Sequence, residues 1–330
     1  MTSALPEFDL RRPQSVADAA RLLADHPGAR LLAGGTDLIP NLRRGIESPP
    51  LLVDVSALPG FGEIATDGGG ITLGAGVTLA RLAAAPEIAR SHPVLAEAAA
   101  AIAGPGHRTV ATIAGNLCLD TRCVYYNQSE WWRATNGYCL KRGGDTCHVA
   151  PQGHRCHAAF SGDLAPALLV LDAEVELAST HGTRRLPLAA LYRDDGAAHL
   201  TLAHGELLTC VRVAATPQRS GYRKARVRGA MDFPLAGVAC ALDLDGGAIA
   251  ALKIALTGTN SNPFVLAGTG DFVGQPVGDE LLARLAKLVQ KQVSPMRSTV
   301  TASNYRRQVA ATLAQRLLRD LAAATAPAIA

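Results

Sequence analysis

The sequence has few aromatic residues, no long apolar run and no long basic run. Phe, Tyr and Trp make up 4% of its 330 residues. Nowhere do 18 apolar residues follow one another, which predicts that no segment crosses a membrane. The net charge is +4, and basic residues form only short pairs such as Arg43-Arg44. Nucleic-acid-binding proteins concentrate Lys and Arg in a patch or stripe, so the charge pattern argues against that class.

The first residues, MTSALPEFDLRRP, lack the apolar stretch of a signal peptide. We therefore expect a cytoplasmic protein. In a reducing compartment, clustered cysteines are more often metal ligands than disulfides. The length exceeds that of one ordinary core and predicts two or three domains.

Apolar periodicity predicts a chain of mixed helices and strands. Ser15 and the apolar face after it indicate a helix at the start. From about residue 220 the pattern changes to antiparallel strands, with Asp245-Gly246-Gly247 as a hairpin turn. Predicted helices are 15–26, two segments within 78–103 broken at Pro86 and at His92-Pro93, a short one from 164, 278–292 and 301–324. Predicted strands include 51–56 and 71–76, and residues 104–109 are predicted to be a loop.

Two short glycine-containing segments, AGGTDL (33–38) and ATIAGN (111–116), are candidate anion sites. Glycine lets backbone N–H groups approach an anion closely, as in a phosphate-binding nest. Thr36 adds a hydroxyl, and Asp37 offers a ribose or structural hydrogen bond. The alternative is that both are tight turns between core elements. Neither is followed by Gly-Lys-Ser/Thr, so neither is a P-loop.

Five of the seven cysteines and both tryptophans lie between residues 118 and 156. The cysteine spacing, C-x4-C-x15-C-x7-C-x8-C, lacks the paired C-x2-C knuckles typical of zinc sites. The stretch also lacks the apolar periodicity of an independent core, and so short a segment usually needs a metal or disulfide to become ordered. Four thiolates hold zinc or a [4Fe–4S] cluster equally well, and His148, His154 and His157 keep zinc open. The spacing leaves both metals as alternatives.

The two glycine segments resemble the paired FAD-pyrophosphate motifs in the flavin subunit of the molybdenum hydroxylase (xanthine oxidase) family. GDLAPALLVLDAEVEL (162–177) resembles the segment that follows them in that family, and DFPLAG (232–237) resembles the start of its C-terminal flavoprotein domain. The resemblance covers nearly the whole chain. One departure is Ala114, where the family usually has a second glycine.

The resemblance implies an α+β fold with a two-part FAD-binding domain of the PCMH type and a C-terminal domain of antiparallel sheet and helices. The first domain would span 1–215, with its internal boundary near residue 57 and an iron–sulfur insert at about 118–160. The second would span 216–330. The cofactor-binding residues that it implies are Leu31, Leu32, Ala33, Gly34, Gly35, Thr36, Asp37, Leu38, Ile102, Ala111, Thr112, Ile113, Ala114, Gly115, Asn116, Asp163 and Lys224.

Three of these residues have an alternative, purely structural interpretation. Ile102 would pack in the core. Asp163 would cap the helix that follows it. Lys224, matched to a basic residue near the flavin ring, would otherwise be a solvated strand residue.

The resemblance also decides between the two metals. Asn116 and Gly162 are separated by 45 residues, where ordinary members of the family have a short connection. The branch that reduces 4-hydroxybenzoyl-CoA carries a [4Fe–4S] cluster in an insert at this place, and CLDTRCVYYNQSEWW with NGYCLK is similar to that insert. The implied metal ligands are Cys123, Cys139, Cys147 and Cys156. Cys118 is then a spare thiol, and the aromatic residues would shield the cluster or dock the insert.

The implied function is electron transfer, with no catalytic residue in this chain. Electrons would pass from ferredoxin to the [4Fe–4S] cluster and to FAD. They would continue to the [2Fe–2S] clusters of a small subunit and the molybdopterin cofactor of a large one. There 4-hydroxybenzoyl-CoA would be reduced to benzoyl-CoA, in anaerobic aromatic degradation, by a dimer of heterotrimers.

Two alternatives stay open. One is the flavin subunit of an oxidising molybdenum hydroxylase that acts on an aromatic or heteroaromatic substrate and has an iron–sulfur outlet. The other is a non-redox scaffold whose insert is clipped by zinc.

Overall fold

The structure is a computed structural model that describes residues 4–67, 70–214 and 219–324. Its first unit is a small parallel sheet with two helices. Strands β1 (Asp9–Arg11), β2 (Arg30–Leu32) and β3 (Leu51–Asp54) are arranged in the order β1-β3-β2. Helix α1 (Val16–Asp25) begins where the Ser15 hydroxyl accepts the Asp18 N–H, as the sequence predicts. Helix α2 (Leu38–Arg43) follows the first glycine segment.

The second unit is a five-stranded antiparallel sheet with short helices. The strands are β4 (Ile64–Asp67), β5 (Gly70–Gly74), β6 (Glu174–Ser179), β7 (Gly182–Pro187) and β8 (Leu207–Ala214), in the order β4-β5-β8-β6-β7. The helices are α3 (Leu79–Ala84), α4 (Pro86–Ser91), α5 (Pro93–Ala101), α6 (Pro105–Arg108), α7 (Ile113–Leu117), α8 (Glu130–Thr135) and α9 (Leu164–Leu169).

Proline explains two differences from the predicted helices. Residues 78–103 hold three helices rather than two segments, because Pro86 and Pro93 each start a new helix. The predicted loop 104–109 contains the one-turn helix α6, with Pro105 in its first position. Proline suits that position because its φ is already helical and its missing N–H would have had no partner there.

The third unit is a four-stranded antiparallel sheet covered by two helices. Strands β9 (Arg219–Ala225), β10 (Ala236–Asp245), β11 (Ala248–Thr257) and β12 (Phe264–Val265) are arranged in the order β12-β11-β10-β9. Gly246 and Gly247 form the predicted hairpin turn, and their φ angles of +55° and +88° are the kind that glycine adopts without strain. Helices α10 (Asp279–Gln292) and α11 (Ser303–Ala323) pack on this sheet.

The main apolar core lies between the helices and sheet of the second unit. It extends to the first unit through Ala19 and Val53, and to the third through Tyr222 and Ala239. The α+β fold class is thus confirmed. The domain boundary predicted at 215/216 falls outside the described residues. No helix in the described part of the chain has both the length and the apolar character needed to cross a bilayer.

Candidate cofactor cleft and cysteine cavity

A cleft of about 890 Å³ opens between the first sheet, helix α7 and residues 197–208. This volume is within the range of roughly 300–1,000 Å³ that is typical of small-molecule and cofactor sites. All but two of the predicted cofactor-binding residues line it. The exceptions are Ile113, which is fully buried, and Lys224, which lies behind Asp163.

The first glycine segment presents unused backbone donors to the cleft. Gly35 has a φ of +66°, and the N–H groups of residues 34–37 donate to no other protein atom within the described chain. Gly34 approaches the second segment so closely that a Cβ there would lie 2.0 Å from the Val110 carbonyl oxygen. Consecutive free N–H groups in a Gly-Gly turn form a concave anion site. The segment therefore fits a phosphate group of a dinucleotide.

The second glycine segment has a different role. Thr112 caps helix α7 by accepting the Gly115 N–H at 3.1 Å, and Ala114 donates to the Ala75 carbonyl at 3.0 Å. The N–H groups of Ile113 and Asn116 are also used within the protein. Among the described residues the second segment therefore leaves only the Thr112 N–H without an acceptor, whereas the first leaves those of residues 34–37 without one. Since Ala114 lies in a helix, the missing glycine costs no backbone strain at this position.

Two polar side chains of these segments have structural partners. Asp37 accepts hydrogen bonds from Arg122 and from Asn41. Of the two predicted roles, a ribose contact and a structural hydrogen bond, these bonds fit the structural one. Burial raises the pKa of Asp37, and the Arg122 guanidinium acts in the opposite direction. Asn116 accepts the N–H of Leu164 at 3.0 Å, which joins the second segment to the start of α9.

Asp163 and Lys224 form a buried ion pair at the edge of the cleft. Lys224 Nζ lies 3.0 Å from Asp163 Oδ2, and the Tyr222 hydroxyl donates to Asp163 Oδ1 at 2.5 Å. Asp163 makes no capping bond and Lys224 is 4% exposed, so both structural alternatives for these residues are wrong. Burial raises the pKa of Asp163, while Lys224 acts against that rise. The pair ties the third unit to the wall of the cleft.

Two parts of the cleft wall are not predicted by the sequence. Residues 197–208 lie between β7 and β8 and include the first two residues of β8, and Met231–Phe233 precede β10. The polar His199 is 8% exposed and donates to the Leu119 carbonyl at 3.0 Å. Burial lowers its pKa to about 4. In the sequence, the DFPLAG motif marks the region of Met231–Phe233, whereas no local pattern marks residues 197–208.

The four predicted metal ligands line a second, smaller cavity. Cys123, Cys139, Cys147 and Cys156 come from separate turns of the insert and meet there, together with Tyr126 and Lys141. Cys118 lies elsewhere, on the wall of the cofactor cleft, where burial raises its pKa to about 12. The structure thus separates the spare thiol from the other four, as the resemblance implies.

Backbone N–H groups surround the buried thiols. Cys123 Sγ accepts from Tyr125 and Tyr126, and Cys156 Sγ accepts from Ala158 at 3.4 Å. Burial raises the pKa of Cys123, and that of Cys156 to about 12, while these bonds act in the opposite direction. Burial thus favours the neutral form of these thiols, and a metal bound here would have to supply the positive charge that a buried thiolate needs.

The histidine and aromatic residues of the insert differ in their distance from the cavity and in their exposure. His148 lines the cavity and donates through Nε2 to the Tyr138 carbonyl, whereas His154 and His157 lie outside it. Tyr126 is 3% exposed, but Trp131 is 75% exposed and shields nothing in this chain. Trp132 packs against Tyr125 with the ring centroids 6.2 Å apart.

The insert is tied to the cleft by buried arginine. Arg133 is almost fully buried and donates to the carbonyls of Tyr126 at 3.3 Å and Gly45 at 2.8 Å. The second of these bonds reaches the residues just after α2. Arg122 forms the ion pair with Asp37, so the insert also contacts the first glycine segment.

Comparison with known proteins matches both halves of the chain to one family. A family model described as the FAD binding domain in molybdopterin dehydrogenase matches residues 6–215. A second, described as the CO dehydrogenase flavoprotein C-terminal domain, matches residues 220–321.

Individual proteins agree with these matches. The aldehyde oxidoreductase FAD-binding subunit PaoB of Escherichia coli is 36% identical over 78% of this chain and 83% of its own. The carbon monoxide dehydrogenase medium chain of Afipia carboxidovorans is 27% identical over 94% of each chain. A structure of reconstituted CO dehydrogenase from Oligotropha carboxidovorans superposes with a TM-score of 0.80 at 26% identity, covering 98% of this chain and 100% of that one.

Proposed function

The chain belongs to the FAD-binding subunits of the molybdenum hydroxylase family, and from that premise we propose that it carries a second redox group, a [4Fe–4S] cluster, in the cysteine cavity. The observation that carries the proposal is the convergence of Cys123, Cys139, Cys147 and Cys156 on one cavity beside the FAD cleft. The chain is then an electron-transfer subunit with two groups in series.

For FAD, the cleft supplies what a dinucleotide needs. The free N–H groups of residues 34–37 suit its pyrophosphate, and Asp163 with Lys224 supplies a fixed charge pair at the cleft edge. Bound flavin exchanges one or two electrons and so connects single-electron carriers with a two-electron reaction. The protein's part is to hold the cofactor and to set the charge around it.

For the cluster, the supporting observation is that four thiols line one cavity. No three His, Cys, Asp or Glu side chains among the described residues are grouped closely enough to hold a single ion. A [4Fe–4S] cluster spaces four thiolates more widely than zinc does, because a different iron atom stands behind each sulfur. The N–H groups that donate to Cys123 and Cys156 would stabilise a negatively charged cluster.

The partners and the substrate are part of the same proposal. The names "FAD-binding subunit" and "medium chain" of the relatives support companion chains, which we assign as a molybdopterin-binding large subunit and a [2Fe–2S] small subunit. Similarity of the insert to that of the 4-hydroxybenzoyl-CoA-reducing branch supports reduction of this substrate to benzoyl-CoA. Ferredoxin is the proposed donor, in a cytoplasmic dimer of heterotrimers.

A second candidate rests on the relatives themselves. Their names describe an aldehyde oxidoreductase and a carbon monoxide dehydrogenase, and neither names a reductase of an aromatic thioester. The cluster would then serve as an outlet for electrons from an oxidised substrate. The two directions use the same residues of this chain, since we assign the substrate site to the large subunit.

The first experiment measures flavin, iron, sulfide and zinc in the chain purified without oxygen. We expect one FAD with about four iron and four sulfide. Replacing Cys147→Ser should remove the iron and leave the flavin, whereas the matched change Cys118→Ala should keep both. Flavin with zinc and no iron would exclude the cluster and leave the family membership intact.

The second experiment separates the two directions. The assembled complex is assayed for benzoyl-CoA formation from 4-hydroxybenzoyl-CoA with reduced ferredoxin, and for oxidation of aldehydes and aromatic heterocycles with a dye acceptor. Reduction of the thioester supports the first candidate. Oxidation without thioester reduction would replace it with the second.

A further inference from the structure

We propose that the Asp120–Lys141 ion pair couples the two cavities, with Lys141 as the positive charge on the cluster side and Asp120 as a hydrogen-bond acceptor on the dinucleotide side. This inference rests on the proposed function, because it needs a redox group in each cavity. It adds a positioning pair to residues that otherwise only bind the two groups.

Lys141 is held rigidly in the wall of the cysteine cavity. Its side chain is 8% exposed, and Nζ donates to Asp120 Oδ1 at 2.6 Å and to the Gly196 carbonyl at 3.0 Å. It also contacts the carbonyl and hydroxyl of Thr121 and lies 4.6 Å from the ring centroid of Tyr126. A cation with this many acceptors stays in place whichever redox state its neighbours have.

Asp120 faces the other way. It lines the cofactor cleft, and its second carboxylate oxygen, Oδ2, is buried without a hydrogen-bond partner among the described residues. A buried carboxylate oxygen without a donor is costly. The Asp120 side chain as a whole is 25% exposed, so a small rotation of the carboxylate would let a ligand in the cleft donate to it. The hydroxyl and N–H groups of a dinucleotide are donors of the required kind.

The pair is therefore an oriented dipole shared by two sites. Its positive end lies beside the thiols and favours the more negative, reduced form of any group they hold. Its negative end lies on the cleft and favours a ligand with a hydrogen-bond donor there. Removal of either charge changes the field at both cavities, whereas an exposed pair elsewhere would not.

The test is an anaerobic redox titration of the assembled complex, followed by flavin absorbance and by the EPR signal of the cluster. Lys141→Met should shift the cluster potential downwards, and Asp120→Asn should shift the flavin potential upwards and weaken FAD binding about fivefold. In the double variant the cluster potential should lie closer to the wild-type value than in Lys141→Met, because the loss of the negative charge partly offsets the loss of the positive one. Lys253→Met, which breaks the exposed pair with Asp172 and lines neither cavity, is the matched control and should shift nothing.

Two outcomes overturn the inference in different ways. Unchanged potentials in a Lys141→Met protein that keeps its iron would refute this coupling alone. A wild-type protein without iron would refute the proposed function, and the coupling with it. If Lys141→Met fails to fold, the nearly isosteric Asp120→Asn carries the test, and an unchanged flavin potential together with unchanged FAD affinity refutes the coupling.

Discussion

The cofactor cleft and the cysteine cavity are neighbours, but they are built differently. The cleft rests on a continuous aliphatic core that runs through all three units of the chain. The buried cluster around the cysteine cavity has only five residues, and two of them are cysteines: Ile46, Cys123, Tyr126, Cys156 and Ala158. So small a core cannot order a long insert by apolar burial alone. The cleft is therefore formed by the apolar core, whereas the insert is held by polar contacts, to which the proposed metal cluster would add its ligation.

Those polar ties have a direction. Arg133 and Arg122 connect the insert to the residues around the first glycine segment and not to solvent-exposed loops. The cluster insert is thus anchored on the segment that we assign to the FAD pyrophosphate. The insert, which has the smaller apolar core, therefore packs against the cleft, which has the larger one.

The largest expected difference between the regions follows from removing the metal. In the Cys147→Ser protein, amide hydrogens of residues 123–156 should exchange rapidly, because the insert loses the ligation that orders it. Amides of β6 and β8 should keep their protection. Hydrogen exchange with mass spectrometry measures both at once. Equal protection of the insert in the variant and the wild type would show that the insert does not need metal ligation to be ordered.

Breaking the buried ion pair of the cleft should have the next largest effect. Lys224→Met leaves the Asp163 carboxylate buried without its cation, which should lower the free energy of unfolding by about 3–5 kcal/mol. Flavin should be lost together with the stability. Lys253→Met breaks an exposed pair and should cost about 1 kcal/mol or less. Urea denaturation of the two variants gives the comparison, and similar losses would show that burial of the pair is unimportant.

Adding a methyl group at the contact between the glycine segments should lower stability and FAD affinity moderately. Gly34→Ala places a Cβ 2.0 Å from the Val110 carbonyl oxygen, so the two segments must separate, at a cost of about 1–3 kcal/mol. FAD affinity should fall while the iron content stays at the wild-type level. Gly62→Ala is the control, since a Cβ there meets nothing within 4 Å. Loss of iron in Gly34→Ala would mean that the two sites are less independent than the cores indicate.

The smallest effect should come from acid titration of His199. Burial lowers its pKa from the usual 6.5 to about 4, so the unfolded chain binds more protons than the folded one between these values. Stability therefore falls as the pH falls through this window, by roughly 2 kcal/mol between pH 6.5 and pH 5 for this one residue. His199→Gln should reduce that slope, and the exposed His181→Gln should leave it unchanged. Thermal unfolding at a series of pH values measures it.

The sequence by itself determined the features that depend on local chemistry. Gly35 and the hairpin at Gly246-Gly247 have backbone conformations that few other residues adopt, and the Ser15 cap follows from its side-chain hydroxyl. Apolar periodicity predicted a chain of mixed helices and strands, and the family resemblance implied the α+β class. The same resemblance set Cys118 apart from the other four cysteines, and the structure places these thiols in two different cavities.

Only the tertiary structure decided which of these groups are free to act. It showed that the first glycine segment keeps its N–H donors free while the second uses all but that of Thr112 within the described chain, and that Asp37 is held by Arg122. It also brought Asp120 together with Lys141 between the two cavities. These partners are distant in sequence, and whether a donor is free depends on which distant acceptor the fold brings to it. Local sequence propensity does not predict these hydrogen-bond partners, because the partners meet only when the chain packs around its core.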